Sequence, residues 1–201
     1  FGISDIYSSA ALTVAAGHTN YDGFAISQAT PNGIGAPMQQ NKIGVTADLD
    51  MKLGRAFRVP GMQRLQVTPY LAYEYHRWAR DSIETYSNHM LGVGLLTQYA
   101  ISSKLMIDAD IGIGRTFLAE VRSRHGVDED LGSRYVRSAS VGLDYAVSRR
   151  MHVTATYQAK SFSYGQSEVV TGRYAGVYGQ WYEPISRTVE QTFMVGAAYA
   201  F

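Results

Sequence analysis

Residues 41–54 read NKIGVTADLDMKLG. Taken alternately, Ile43, Val45, Ala47, Leu49, Met51 and Leu53 stand against Lys42, Gly44, Thr46, Asp48, Asp50 and Lys52. Successive side chains of a strand point to opposite faces, so the stretch reads as a strand with one hydrocarbon face and one charged face. A helix would scatter both sets around its circumference. The rest of the chain is read outward from this unit.

The same division recurs in Leu65, Val67, Pro69, Leu71, Tyr73 and Tyr75 against Gln66, Thr68, Tyr70, Ala72, Glu74 and His76, and again in Val153, Ala155, Tyr157 and Ala159 against His152, Thr154, Thr156, Gln158 and Lys160. Eight alternating stretches cover approximately 6–21, 41–54, 64–79, 84–101, 104–121, 134–147, 150–164 and 186–201. Short turns at 102–103 and 148–150 and a longer one over 54–63 lie on one side. The polar or Gly-rich connections 22–40, 122–133 and 165–185, with a tight one near 80–83, lie on the other. Short turns facing long loops describe an antiparallel up-and-down meander, and the expectation is a single domain over 1–201, all β, closed as an eight-stranded barrel.

Composition agrees with a folded β protein. Of 201 residues, 46% are hydrophobic and 17% charged, and 15 Tyr and 20 Gly suit strands better than helices. A net charge of +1 without a Lys/Arg run gives no field for a nucleic acid, which is not expected as a partner. The absence of cysteine removes disulfides, thiolate metal sites and cysteine nucleophiles. No run of about 18 apolar residues is present, so no transmembrane helix is expected. The sequence begins at Phe1 without a basic segment and apolar core, so a secretory signal is expected to have been removed or never to have been present.

Alternation fits two opposite objects. A soluble barrel puts its apolar face inside, whereas a membrane barrel turns it to lipid and keeps a polar interior. Three observations favour the membrane. Gly92, Gly94, Gly112, Gly114, Gly142, Gly196, Ala198 and Ala200 all belong to the polar-face set, as a crowded lumen requires. On three strands the apolar face ends at a shared level, at Arg115, Arg137 and Gln191. Aromatic residues fall near both edges of that band: Tyr99, Tyr145, Tyr199 and Phe201 at one, Tyr73, Tyr75, Phe117, Tyr135 and Phe193 at the other.

The final stretch, FMVGAAYAF over 193–201, resembles the carboxy-terminal signature of Gram-negative outer-membrane β-barrels. Phe193, Val195, Ala197, Tyr199 and Phe201 match its alternating apolar positions and terminal aromatic ring. Strand number and loop asymmetry look like the small OmpA/OmpX type. The resemblance implies recognition by the barrel-assembly machinery and residence in the bacterial outer membrane with both termini periplasmic. It implies no particular activity.

An interior of eight strands is wide enough only to be filled by side chains. The inward set includes Asp48, Asp50, Glu74, Asp108, Asp110, Asp144, Lys160 and Glu190, with Lys42, Lys52, His76, Glu120, Arg122 and His152, and is expected to form a paired lumen network. The rival is a narrow path for cations, suggested by the excess of Asp near the short turns. On the outer face Arg77, Arg115 and Arg137 are candidates for the lipid interface and for lipopolysaccharide phosphates, which suit the planar guanidinium, with interfacial snorkelling as the simpler alternative.

In the last long connection Tyr164, Tyr174, Tyr178, Trp181 and Tyr182 offer contact area for a protein or glycan at the cell surface, unless the segment only extends the neighbouring strands as a hairpin. His125 with Asp128, Glu129 and Asp130 reads as a solvated acidic loop without specific metal-ligand spacing. His152, Val153 and Thr154 are the nearest analogue of the His-x-Ser pair of rim-active lipid A-modifying enzymes, but at the short-turn end. The expected function is therefore that of a non-catalytic envelope or surface-interaction component, with no cofactor and no metal; the alternatives are a narrow channel for small solutes or cations and a rim-active lipid A-modifying enzyme.

Overall fold

A computed structural model of the chain describes residues 5–26, 34–82, 84–124, 128–174 and 177–199. No helix occurs among them. The strands are β1 (Ile6–Ile26), β2 (Ile34–Arg55), β3 (Phe57–Val59), β4 (Met62–Ala79), β5 (Glu84–Ala100), β6 (Leu105–Ser123), β7 (Asp128–Leu131), β8 (Tyr135–Ala146), β9 (Met151–Tyr164), β10 (Val170–Tyr174), β11 (Val177–Trp181) and β12 (Ser186–Tyr199). The main sheet runs β1-β2-β4-β5-β6-β8-β9-β12, each long strand lying beside its neighbours in the chain. All of its ladders are antiparallel. The molecule is thus an all-β, up-and-down antiparallel sheet.

The eight long strands coincide with the eight alternating stretches. Four more strands arise from segments read as connections, giving twelve among the described residues. β3 pairs with β4 across the two-residue turn Pro60-Gly61, where Gly61 takes the positive φ of 79° that such a turn favours. β7 pairs with β6, and β10 with β11 in a sheet of their own. β1 and β2 also continue their ladder beyond the alternating region, from Tyr21↔Gln40 to Phe24↔Pro37. Side-chain alternation reports a difference between faces, whereas backbone pairing needs none, so solvated hairpins leave no such signature. The expected closure is absent in the same sense: no ladder joins β1 to β12 among the described residues.

The sheet nevertheless curls far enough to enclose an interior. β2 and β9 are five ladders apart, about 24 Å along a flat sheet at roughly 4.8 Å per step. Yet Lys160 Nζ on β9 lies 2.9 Å from Asp48 Oδ1 on β2. Six ladders separate β2 from β12, and the Thr46 hydroxyl still donates to Glu190 at 3.4 Å.

One strand changes phase. In β6 Asp110 and Thr116 face inward and are buried, but Leu118 adopts a left-handed φ of 47°, and beyond it Ala119 and Val121 take the inward positions. Glu120 and Arg122, placed inside by uninterrupted alternation, are turned outward, where Ser87 Oγ donates to Glu120 at 2.9 Å and Arg122 pairs with it at 3.1 Å. The bulge is the reason for that correction.

Candidate functional site

The enclosed interior is stratified. At the long-connection end, inward positions of β4, β5, β6, β7, β8 and β9 supply Trp78, Tyr86, Met90, Ala119, Val121, Leu131, Val136, Phe162 and Tyr164 to one buried apolar cluster. Trp78 stacks on Tyr86 with ring centres 5.4 Å apart, Tyr86 lies 5.0 Å from Tyr164, and Phe162 meets Tyr164 edge-on at 5.7 Å. Tyr164, read from sequence as part of a contact loop, is therefore an interior residue, only 1% exposed. Aromatic rings suit both lipid and a packed interior, so composition alone does not assign them.

Below this cluster lies the first ionic layer. Lys160 Nζ donates to Asp48 and to Glu74, and His76 Nδ1 lies 2.7 Å from Asp48 Oδ1. All four residues are buried. Asp50 is the register partner of Glu74, and Glu190 reaches the layer from β12, accepting from Thr46 and from Thr192 at 3.3 Å. Asp48, Glu74 and His76 bring ligand atoms within 4.8 Å of one another, a spacing that sequence reading did not see because three different positions on two strands create it. The Lys160 ammonium bridges two of the three, so the group already holds a cation of its own.

Further towards the short turns, Lys52 Nζ pairs with Asp110 at 2.6 Å, and Tyr70 donates to the other oxygen of the same carboxylate at 2.5 Å. The phenol of Tyr70 occupies the place a Cβ on Gly94 would need, which explains one of the mid-strand glycines. Asp108 lies against Gly142 in the same way. Asp144 meets His152 Nδ1 at 2.6 Å close to the short-turn end. A cavity of about 330 Å³, lined by Tyr7, Lys52, Asp108, Asp110, Asp144 and Thr154 among others, occupies this level. The residues read as one lumen network thus fall into separate groups: Asp48, Glu74, Lys160 and Glu190 above, Asp110 with Lys52 in the middle, Asp144 with His152 below.

The outer face is apolar. Leu12, Ile43, Leu71, Leu91 and Val195 are all at least 60% exposed, and Val14, Met51, Leu53, Val93, Ile111, Ile113, Val141, Leu143 and Val153 are exposed beside them. Arg77, Arg115 and Arg137 project from this face. They are not level: Arg115 faces Tyr135 across the β6–β8 ladder, Arg137 faces Ile113 one rung nearer the short turns, and Arg77 faces Ser87. Around Arg115 the outer face is aromatic. The Tyr73 phenol lies 2.7 Å from His89 Nδ1, and the His89 ring is 5.0 Å from Tyr75 and 5.5 Å from Phe117.

Above the sheet, β10 and β11 form an independent hairpin. Trp181 donates its indole N–H to the Gly172 carbonyl at 3.0 Å and lies over Gly179, so it braces the hairpin. Tyr178 and Tyr182 are exposed. The side chain of Tyr174 lies outside the described residues. Asp128, Glu129 and Asp130 belong to β7 and not to a loop, with Glu129 buried, while His125 is outside the described residues. Glu183, just after β11, accepts from Tyr86 at 2.9 Å and exchanges hydrogen bonds with Ser167: its N–H donates to the Ser167 hydroxyl and its carbonyl accepts from the Ser167 N–H. Burial pushes the Glu183 carboxyl above the ordinary carboxylate range, against the opposing effect of the Tyr86 hydrogen bond.

Of the carboxy-terminal signature, Phe193 and Val195 are exposed on the outer face, opposite Tyr157 and Ala155 of β9. Tyr199 pairs with Met151, while its side chain and the whole of Phe201 lie outside the described residues. No protein-family model matches this chain, and no curated protein matches it significantly.

Proposed function

We propose that the chain forms a transmembrane β-barrel of the Gram-negative outer membrane, its eight long strands spanning the bilayer and its short turns facing the periplasm. Its role is that of a non-catalytic envelope component acting through the long connections. The observation that carries this reading is the inversion of burial. Asp48, Glu74, His76, Asn88, Asp110, Thr116 and Lys160 are buried, while the large aliphatic side chains alternating with them are exposed. In water such an outer face would be a continuous apolar surface far beyond what soluble monomers expose. In lipid it is the expected one.

The further elements of the reading follow from position. Ile6 and Tyr199 both lie at the short-turn end of their strands, opposite Arg55 and Met151, which supports periplasmic termini. Closure of β1 on β12 would remove both free edges, which a bilayer does not tolerate. Phe193, Val195, Tyr199 and Phe201 would serve the assembly machinery, Arg77, Arg115 and Arg137 the lipid and lipopolysaccharide interface, and the β10–β11 hairpin with Tyr174, Tyr178, Trp181 and Tyr182 a surface protein or glycan.

The test is folding into lipid. The full chain, refolded into detergent and then into vesicles, should migrate differently in gels before and after boiling, and the folded form should resist protease in vesicles. Identical migration with complete digestion would overturn the proposal. A second reading, a narrow cation path, draws on the acid-lined cavity of about 330 Å³ and is opposed by the packed aromatic cluster at the other end. Single-channel recording decides it: no conductance above the bare bilayer removes that reading.

A further inference from the structure

Three arginines project from the apolar face, but their settings differ. Arg115 Nε donates to Ser133 Oγ at 2.8 Å, and Ser133 Oγ in turn donates to the Thr116 carbonyl. The guanidinium lies 5.8 Å from the Tyr135 ring centre, and Tyr135 is its partner across the ladder. The segment carrying Ser133 is itself tied down: Thr116 N–H donates to the Arg134 carbonyl at 2.8 Å, and Arg134 N–H to Thr116 Oγ1 at 2.9 Å. Neither Arg77 nor Arg137 has a hydrogen bond or ion pair of this kind among the described residues. Arg115 is thus oriented before any ligand arrives, and its entropy of ordering is already lost.

The orientation leaves the end of the fork free. Nε and the ring face are engaged, whereas among the described residues no carboxylate pairs with Arg115, so Nη1 and Nη2 remain as two parallel donors. The two rungs around it, Tyr73-Leu91-Arg115-Tyr135 and Tyr75-His89-Phe117, carry no outward acid. The nearest outward carboxylate on β6, Glu120, lies beyond the Leu118 bulge and is held by Ser87 and Arg122. From Arg115 towards the short turns, Ile113, Ile111, Leu91 and Val93 offer an unbroken hydrocarbon track. A fixed two-donor cation at the top of an apolar track complements one class of molecule: a phosphate joined to acyl chains.

We propose that Arg115 anchors one anionic lipid, its phosphate on the free end of the guanidinium and an acyl chain along Leu91, Val93, Ile111 and Ile113. The inference rests on the membrane reading above. It differs from a general basic belt in assigning the contact to Arg115 alone. Arg137 and Arg77 then contribute only unspecific interfacial attraction.

The experiment is native mass spectrometry of the full chain released from bilayers of equal phosphatidylglycerol and phosphatidylcholine, comparing wild type with R115Q, R137Q and R77Q. Wild type should retain phosphatidylglycerol in preference to phosphatidylcholine. R115Q should lower the lipid-bound to free ratio about tenfold, as for one lost charge-assisted contact, while R137Q and R77Q leave it near wild type. An R115Q ratio equal to wild type, equal losses in all three variants, or equal retention of both lipids would overturn the site. Loss of the bound species in millimolar inorganic phosphate would overturn its assignment to a lipid. The heat-dependent gel shift is measured on every sample. If it persists while R115Q keeps its lipid, the site fails and the barrel stands; if wild type lacks it, the barrel itself fails.

Discussion

Tyr70 on β4 reaches across β5 to donate to Asp110 on β6 at 2.5 Å, and it does so over Gly94. The crossing needs a strand without a side chain in its path. Gly94→Val should therefore displace the phenol, leave one oxygen of Asp110 without its donor, and cost about 1–3 kcal/mol through overpacking. The measurement is the urea midpoint for conversion of the folded to the unfolded gel band. Tyr70→Phe in the same background should add little further loss, because the hydrogen bond is already broken.

Lys160 is the cation of the upper ionic layer. Lys160→Met leaves Asp48 and Glu74 buried together without it and should destabilise the fold by about 3–5 kcal/mol. Adding Asp48→Asn and Glu74→Gln to that variant should restore much of the loss, since the two carboxylates that Lys160 contacts are then neutral. The same denaturation assay distinguishes this from a simple packing defect, which the added substitutions would not repair.

Docking of the last long connection should depend on pH through Glu183. Its carboxyl titrates above the ordinary range because docking buries it beside Tyr86, with Glu84 adding to the rise and Arg80 opposing it. The docked state thus binds a proton more tightly than the open state. Its stabilisation is complete below the open-state pKa and declines as pH rises through the docked one. Hydrogen-exchange protection of the Ser167 and Glu183 amides, corrected for intrinsic rates, should be higher at pH 5 than at pH 8. Glu183→Gln should flatten that difference.

Ile111 separates a lipid-facing surface from a solvent-facing one. It is more than half exposed at the middle of the apolar track. Ile111→Arg should cost about 2–4 kcal/mol for folding into vesicles if it lies near the bilayer midplane. The same substitution on a surface facing water should change stability by no more than about 0.5 kcal/mol. Parallel folding titrations of wild type and variant in vesicles discriminate the two.

How far the sequence could be read depended on how sharply each side chain separates the two faces. In NKIGVTADLDMKLG every second residue from Ile43 to Leu53 is apolar and its neighbours are polar or glycine, so strand, face and register are legible at once. Leu118 defeats that reading because leucine carries no mark of the left-handed φ it adopts, and the residues beyond it, Ala119 to Arg122, change sides. Tyr164 defeats it differently, since an aromatic ring is equally at home on an exposed contact surface and inside a packed interior. Arg115 was visible as an outward cation, but its fixed setting was not, because Ser133 and Tyr135 reach it from another strand and its approach.

The stratified interior makes the molecule unlike at its two ends. Towards the long connections it is filled by stacked rings, and towards the short turns it holds a cavity with carboxylates on its wall. The chain contains no cysteine. A single thiol introduced at Asp144 would therefore be the only one present, and in vesicles holding the proposed barrel a water-soluble maleimide that cannot cross the bilayer should label it from one compartment and not the other. On the membrane reading proposed above, the shape of the interior thus provides its own compass for the direction of insertion.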